Sequence, residues 1–376
     1  MADAELQREL NTAISAGVDY LKGAQNEDGS WTYQRAAEAV GRQRQAGEGA
    51  DDDYTGGLTA LVLYALAASG VPASDPAIAR GVEWTEENLR PFSTEGTVGT
   101  YSASLLILAL TRIDAKEHRR RIHKLATRLV SGQLPNGMWT YLLSRKTTAS
   151  PAAGGGRRQG SPAMGDNSNS QFAVLGLWAA KVLTRFPVPQ KTWTRVRKLY
   201  ERSQHEDGRW AYTEATTAQG ARVMRPGMTA VRPTMTAAGL VSYVCATAAL
   251  RGGTKGLAKA QEEEVAKRGL KAFRDGAGGW NYLDYYLVYS IERVGTMLGV
   301  PAAEWYEEGA TMLVDQQRRD GRWSARSGRQ GRGRREAGGS RHGDQANAYE
   351  TSLALLFLSR ATVYPITHRT TGKTRR

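Results

Sequence analysis

The residues best equipped for chemistry lie between Gly278 and Arg293, in the run Gly-Gly-Trp-Asn-Tyr-Leu-Asp-Tyr-Tyr-Leu-Val-Tyr-Ser-Ile-Glu-Arg. Asp284 and Glu292 are carboxylates that could act as acid or base. Trp280, Tyr282, Tyr285 and Tyr289 offer aromatic faces that can line an apolar pocket or stabilise a developing carbocation. Helical spacing is expected to put Tyr285, Tyr289, Glu292 and Arg293 on neighbouring turns of one face. The plainer alternative is core packing, with an ion pair from Glu292 or Arg293 to a neighbouring helix. Asp53, last of the acidic triplet Asp51-Asp52-Asp53, could bind a metal or substrate, or belong to a solvated cluster near a helix N-terminus. Asp166, Asn169 and Gln171 before the third inner helix, and Asp344, Asn347 and Glu350 before the sixth, could cap helices or face the same cavity; capping is the role expected for Asp166 and Asp344. The candidate set is thus Asp284 and Glu292 for catalysis, with Trp280, Tyr282, Tyr285, Tyr289, Arg293, Asp53, Asn169 and Glu350 for ligand contact.

Other chemistries find little support. A single cysteine, Cys245, excludes an internal disulfide framework and a zinc site of several thiolates. It sits in an apolar stretch and reads as a buried inert thiol. The five histidines are scattered: His118 and His123 on an arginine-rich helix, His205 inside a repeat, His342 in a Gly/Arg loop and His368 near the C-terminus. No metal and no cofactor is expected.

The elements that must position these residues are set by a repeat. Gln-x-x-x-Gly-x-Trp occurs four times, at Gln25-Gly29-Trp31, Gln133-Gly137-Trp139, Gln204-Gly208-Trp210 and Gln317-Gly321-Trp323. Glycine can supply a left-handed turn that ends a helix, glutamine can bond freed carbonyls, and tryptophan can bury its ring against the next unit. Between the copies two kinds of helix alternate. Amphipathic ones, expected outside, cover Glu5 to Ala24, Asp75 to Leu89, Glu117 to Gly132, Gln190 to Ser203, Glu262 to Phe273 and Ala303 to Gln316. Helices that are small and apolar nearly all round, expected inside, cover Gly56 to Ser69, Thr100 to Arg112, Ser168 to Leu183, Thr234 to Leu250, Asp284 to Leu298 and Asn347 to Ala361. This alternation predicts an all-α fold, an α6/α6 toroid in which the first outer helix closes against the last inner one. The toroid is expected to occupy residues 1–365 as one domain, followed by a basic tail, 366–376.

Four long connections, Thr32 to Thr55, Thr140 to Asn167, Ala211 to Pro233 and Ser324 to Ala346, share the end at which inner helices begin. Much of the +14 formal charge falls there, in Arg157, Arg158, Arg222, Arg225, Arg232, Arg326, Arg329, Arg332, Arg334, Arg335 and Arg341. With six helix N-termini converging, that mouth would attract a carboxylate, a phosphate or an anionic membrane surface. The plainer reading is a set of soluble, flexible loops. The Gly/Arg segments lack interleaved aromatics for stacking bases, so nucleic acid is not an expected partner. No run of eighteen apolar residues is apparent, and the first residues lack the basic and apolar regions of a signal peptide. The expectation is a cytoplasmic protein if the chain is complete, and an exported one if a leader was removed.

The Gln/Gly/Trp repeats and the alternation resemble the terpenoid-cyclase and protein-prenyltransferase superfamily, specifically bacterial proteins with squalene-cyclase or prenyltransferase repeats. The stretches Asp166 to Phe172, Tyr285 to Gly295 and Trp305 to Gly309 resemble a branch of that group. The resemblance covers nearly the whole chain and implies a toroid that holds an isoprenoid. The chain departs from the family's chemistry, however. Class II triterpene cyclases use an Asp-x-Asp-Asp acid, and here the nearest approach is Ala50-Asp51-Asp52-Asp53. Related prenyltransferases hold zinc with Asp, Cys and His, but Tyr243 stands two residues before Cys245 where such a site would have Asp. No Gly-Cys-Gly-Glu-Gln thioester sequence is present.

The leading expectation is a toroid that binds, and could process, an isoprenoid-like lipophilic molecule with an anionic head in a central, partly apolar cavity. A barrel filled by side chains would count against it. Two alternatives are a non-catalytic scaffold with a protein partner, and a carbohydrate-active (α/α)6 enzyme with paired carboxylates in an open groove.

Overall fold

In the computed structural model, residues 2–32, 50–143, 165–213, 231–276, 284–324 and 347–361 are described, with side chains from Glu5 in the first segment and from Tyr54 in the second. The helices are α1 (Ala2–Gly23), α2 (Ala50–Ala68), α3 (Pro76–Glu87), α4 (Gly99–Asp114), α5 (Arg119–Gly132), α6 (Asn167–Thr184), α7 (Gln190–Arg202), α8 (Pro233–Leu250), α9 (Leu257–Gln261), α10 (Glu264–Gly276), α11 (Tyr285–Met297), α12 (Tyr306–Gln316) and α13 (Asn347–Leu358). Among the described residues there is no β-strand, only two single antiparallel bridges, Trp139 to Asp166 and Ala211 to Val231.

The six inner helices form a closed ring. Helix α2 packs on α4, α4 on α6, α6 on α8, α8 on α11, α11 on α13, and α13 returns to α2. Outside them, α3, α5, α7, α10 and α12 each pack on an inner helix, and α1 packs on both α12 and α13, closing the circuit. The architecture is therefore an all-α, α6/α6 toroid. The two sequence patterns explain the layers. An outer helix such as α7 buries only one stripe, Trp193, Val196, Leu199 and Tyr200. On α8 every residue from Met235 to Ala248 is buried.

The repeat does more than end helices. Each glutamine Nε2 donates to the carbonyl of its own repeat glycine and to a carbonyl of the next outer helix, in its first turn for Gln25 to Ala77 (2.9 Å), Gln133 to Thr192 (3.2 Å) and Gln204 to Val265 (3.0 Å), and mid-helix for Gln317 to Ala13 (2.8 Å). The last bond joins residues 304 apart in sequence and seals the ring. Each tryptophan Nε1 donates to a carbonyl ten residues earlier, in the last turns of the preceding helix. Each tryptophan backbone N–H is accepted by a hydroxyl on the following inner helix, Thr59, Ser170, Thr236 or Thr351.

The glycine lies in the tight turn after the helix rather than at the helix end itself, which corrects the expected position. At Gly321 φ is +85°, and a Cβ there would stand 2.2 Å from the Ala16 carbonyl oxygen of α1. The position is glycine because of both handedness and this close approach.

Two further expectations change. Helix α2 begins at Ala50, so Asp51-Asp52-Asp53 forms its first turn rather than a preceding loop. Helix α8 is in fact long and apolar enough to cross a membrane by length and composition, yet it belongs to the inner ring and is mostly buried. Cys245 lies on this helix, fully buried, and burial pushes its thiol well above the ordinary range. Thiol reagents are expected to modify Cys245 only as fast as the ring opens, so labelling should accelerate with denaturant; fast labelling of the native protein would contradict this burial.

Candidate functional site

The inner helices begin at one end of the ring, and the polar and aromatic side chains in their first turns define the candidate site there. Asp284 caps α11, accepting from the Tyr286 N–H at 2.9 Å, and is exposed. Glu292 lies eight residues further along, about 12 Å down the helix, with none of its surface exposed and its carboxylate accepting from Thr296 Oγ1 at 3.1 Å. The two carboxylates of the candidate catalytic set therefore stand at different levels of the ring.

The expected single face of α11 splits. Tyr285 turns toward α12 and α13, where its hydroxyl donates to the Ser324 carbonyl (3.3 Å) and feels the charge of Glu350, itself buried. Tyr286, Tyr289 and Arg293, at spacings of three and four, form the face directed across the ring toward α6. Sequence periodicity could not separate the two sets, because Tyr285 and Glu292 are seven apart and so are Tyr286 and Arg293.

Helix α6 supplies the opposite wall. Asp166 is held beside Trp139 by a backbone bond of 3.0 Å and caps the helix, accepting from Asn169 N at 2.7 Å and Asn169 Nδ2 at 2.8 Å. Asn169 is thereby committed to the cap, although its own Oδ1 is buried without a partner. Burial raises the Asp166 carboxyl to about 6, against the opposing pull of its Asn169 bonds. Ser168, Gln171 and Phe172 follow on the same helix.

These walls meet across the axis. Gln171 Oε1 accepts from Arg293 Nη1 at 3.0 Å, and Gln171 Nε2 donates to the Tyr286 hydroxyl. Ser168 bonds the Tyr101 hydroxyl of α4 and lies 3.5 Å from that of Tyr286. The Phe172 ring centroid is 5.1 Å from Tyr101, 6.4 Å from Tyr286 and 6.5 Å from Tyr289. Since α6 and α11 are separated in the ring by α8, and α4 lies opposite α11, this layer closes the axis at its own level. A ligand entering from the mouth would meet Tyr101, Ser168 and Tyr286 first. Nearby, Tyr141 keeps 44% of its surface exposed, and its hydroxyl pairs with that of Tyr212 at 3.2 Å. Burial raises Tyr101, Tyr286 and Tyr289 above the ordinary phenol value, so all three are neutral hydrogen-bonding groups at physiological pH.

Tyr101, Tyr141, Tyr212 and Tyr64 were not singled out by sequence; they sit in ordinary helical or loop patterns, and only ring closure brings them near α6 and α11. Trp280 and Tyr282 lie outside the described residues, as does Asp344. The side chain of Asp53 is outside them too, and so are the loop arginines apart from Arg232, the residue preceding α8.

Residues 1–225 match the family model of the squalene-hopene cyclase C-terminal domain. The chain belongs to that family. Its fold is that of a terpene cyclase. The type II terpene cyclase MstE from Scytonema, in its apo form, superposes with a TM-score of 0.53 at 15% identity, over 94% of this chain and 99% of its own. A variant of MstE in complex with the substrate geranylgeranyl dihydroxybenzoate gives 0.54 at 15% identity, over 96% and 99%. Another, in complex with the product merosterolic acid A, gives 0.55 at 15% identity over the same shares. At such identity the likeness shows the shared toroid. No protein of curated function matches the chain.

Proposed function

We propose that this squalene-hopene-cyclase-family toroid binds an elongated, isoprenoid-like lipophilic molecule with an anionic head, admitted at the end where the inner helices begin. The observation that carries the reading is the aromatic and hydroxyl-lined layer of Tyr101, Ser168, Phe172, Tyr286 and Tyr289, facing the mouth of a closed helical ring. Aromatic walls with a few placed polar groups suit a long hydrocarbon that must also be oriented. MstE, of the same fold, is found with a geranylgeranyl substrate, which supports an isoprenoid as the ligand class. The layer across the axis restricts such a molecule to the mouth side or requires the layer to part.

Processing of the ligand would need an acid or base, and Asp284 at the mouth and Glu292 below the layer are the candidates for it. Asp284 has the access that a proton donor requires, whereas Glu292 is fully buried.

Native mass spectrometry with lipid extraction of the purified protein, followed by incubation with polyprenyl diphosphates and squalene, tests this reading. A co-purifying or newly bound isoprenoid is expected. Absence of both bound lipid and product would overturn it and favour a protein-interaction scaffold.

A further inference from the structure

Arg293 is the most unusual group in the ring. Its side chain is 1% exposed, and among the described residues it makes no ion pair. Two neutral acceptors hold it, Gln171 Oε1 at 3.0 Å and Ser290 Oγ at 2.7 Å, while its Nε has no partner. The guanidinium lies 4.1 Å from the Tyr289 ring centroid, 5.6 Å from Tyr286 and 5.7 Å from Phe172. A buried cation without a counter-charge is unfavourable unless something supplies one.

The surroundings do not neutralise it. Glu292 is the adjacent acid, and its field reaches Tyr64 and Tyr289 together with that of Arg293. Arg112, whose Nε is also buried without a partner, adds its field at Tyr64. Asp284 adds its field at Tyr286 beside that of Arg293, yet among the described residues neither carboxylate pairs with the guanidinium. The positive ends of the inner helix dipoles face the same space. Long helical side chains point back toward the helix start, which directs the Arg293 head group toward the mouth.

We propose that Arg293 is the counter-charge for the anionic head of the ligand, a carboxylate or diphosphate on a hydrocarbon chain that enters head-first. The proposal rests on the lipophilic-ligand reading and adds the orientation and the residue. Gln171 donates to the Tyr286 oxygen, so the Tyr286 hydroxyl hydrogen can turn from Ser168, 3.5 Å away, to join Arg293 in holding the oxyanion. The same geometry argues against carbocation chemistry at this level. The faces of Phe172, Tyr286 and Tyr289 that would stabilise a substrate cation already hold the guanidinium, and a second cation beside it would be repelled.

The test compares geranylgeranyl diphosphate, geranylgeranoic acid and geranylgeraniol on the wild-type protein and on Arg293→Gln and Arg293→Lys, by native mass spectrometry or intrinsic fluorescence. Near-ultraviolet circular dichroism checks packing. Wild type is expected to bind at least one anionic ligand roughly tenfold to a hundredfold more tightly than the alcohol; which of the two is preferred distinguishes diphosphate from carboxylate. Arg293→Gln should abolish that preference while still binding the alcohol, and Arg293→Lys should keep part of it. Equal wild-type binding of alcohol and anions would overturn the head-first assignment yet leave the lipid reading intact. A preference that survives in folded Arg293→Gln would overturn the role of Arg293. Failure of all three ligands to bind would overturn both. The wild-type comparison decides the head-group question even where a variant does not fold.

Discussion

Trp210→Ala is expected to lower the unfolding free energy by about 3–5 kcal/mol, among the largest losses available from a single side chain in this ring. The indole is 1% exposed and acts as a wedge between an inner and an outer helix. A Cβ at Gly239 of α8 would stand 2.6 Å from Trp210 Cδ2, and one at Gly269 of α10 would stand 2.7 Å from Trp210 Cζ3. Both neighbours have given up their side chains to admit the ring, so neither can collapse into the space when it is removed. That places the loss toward the upper end of the range, because the cavity persists. The Tyr200 carbonyl also loses its donor, now at 3.0 Å. Denaturant melts of the two proteins provide the measurement, with a fall in melting temperature of roughly 5 °C expected alongside. A loss below about 1 kcal/mol would show that the repeat tryptophan does not hold the ring together.

The same wedge explains which parts of the molecule were legible in the sequence. Helix layers follow from burial periodicity, which is local, so the outer stripe of α7 and the uniformly apolar α8 declare themselves without reference to a partner. The repeat is legible as a unit, but its partners are not: nothing in Gln317 says that its amide reaches Ala13, because that bond exists only once the ring closes. The start of α2 was misplaced for a related reason, since three aspartates look like a loop until they are weighed against a helix dipole. Around the candidate site the limits are sharper. Helical spacing admits both Tyr285 with Glu292 and Tyr286 with Arg293 as faces, and only the position of α6 across the axis decides which one meets Gln171. The plainer reading offered an ion pair from Glu292 or Arg293, and among the described residues Arg293 makes none. The charge and the tyrosines of its own helix are visible in the sequence, but the neutral amide of Gln171 and the ring of Phe172 come from an element more than a hundred residues away.

Between about pH 4 and pH 6, Asp166 is expected to withdraw stability as the pH rises, opposite to the behaviour of an ordinary ion-paired aspartate. Burial raises its carboxyl to about 6, whereas in the unfolded chain it returns to the ordinary aspartate range. In this window the folded protein therefore binds more protons than the unfolded one, and unfolding free energy falls with pH. The contribution is fully present below the unfolded value and is lost once the pH passes the folded value. A difference of about two pH units corresponds to about 3 kcal/mol. Asp166→Asn isolates the effect from the other acids. The asparagine can still cap α6 by accepting from Asn169 N, as the carboxylate does now at 2.7 Å. Its new amide would conflict with Asn169 Nδ2, but a flip of Asn169 brings the partnerless Asn169 Oδ1 to meet it, so the second bond is replaced as well. Relative to wild type, the variant should gain up to about 3 kcal/mol between pH 4 and pH 7, measured as the pH dependence of the difference between their denaturant midpoints. A difference that stays flat across this range would show that Asp166 titrates normally and that the mouth of the ring is wetter than its packing implies.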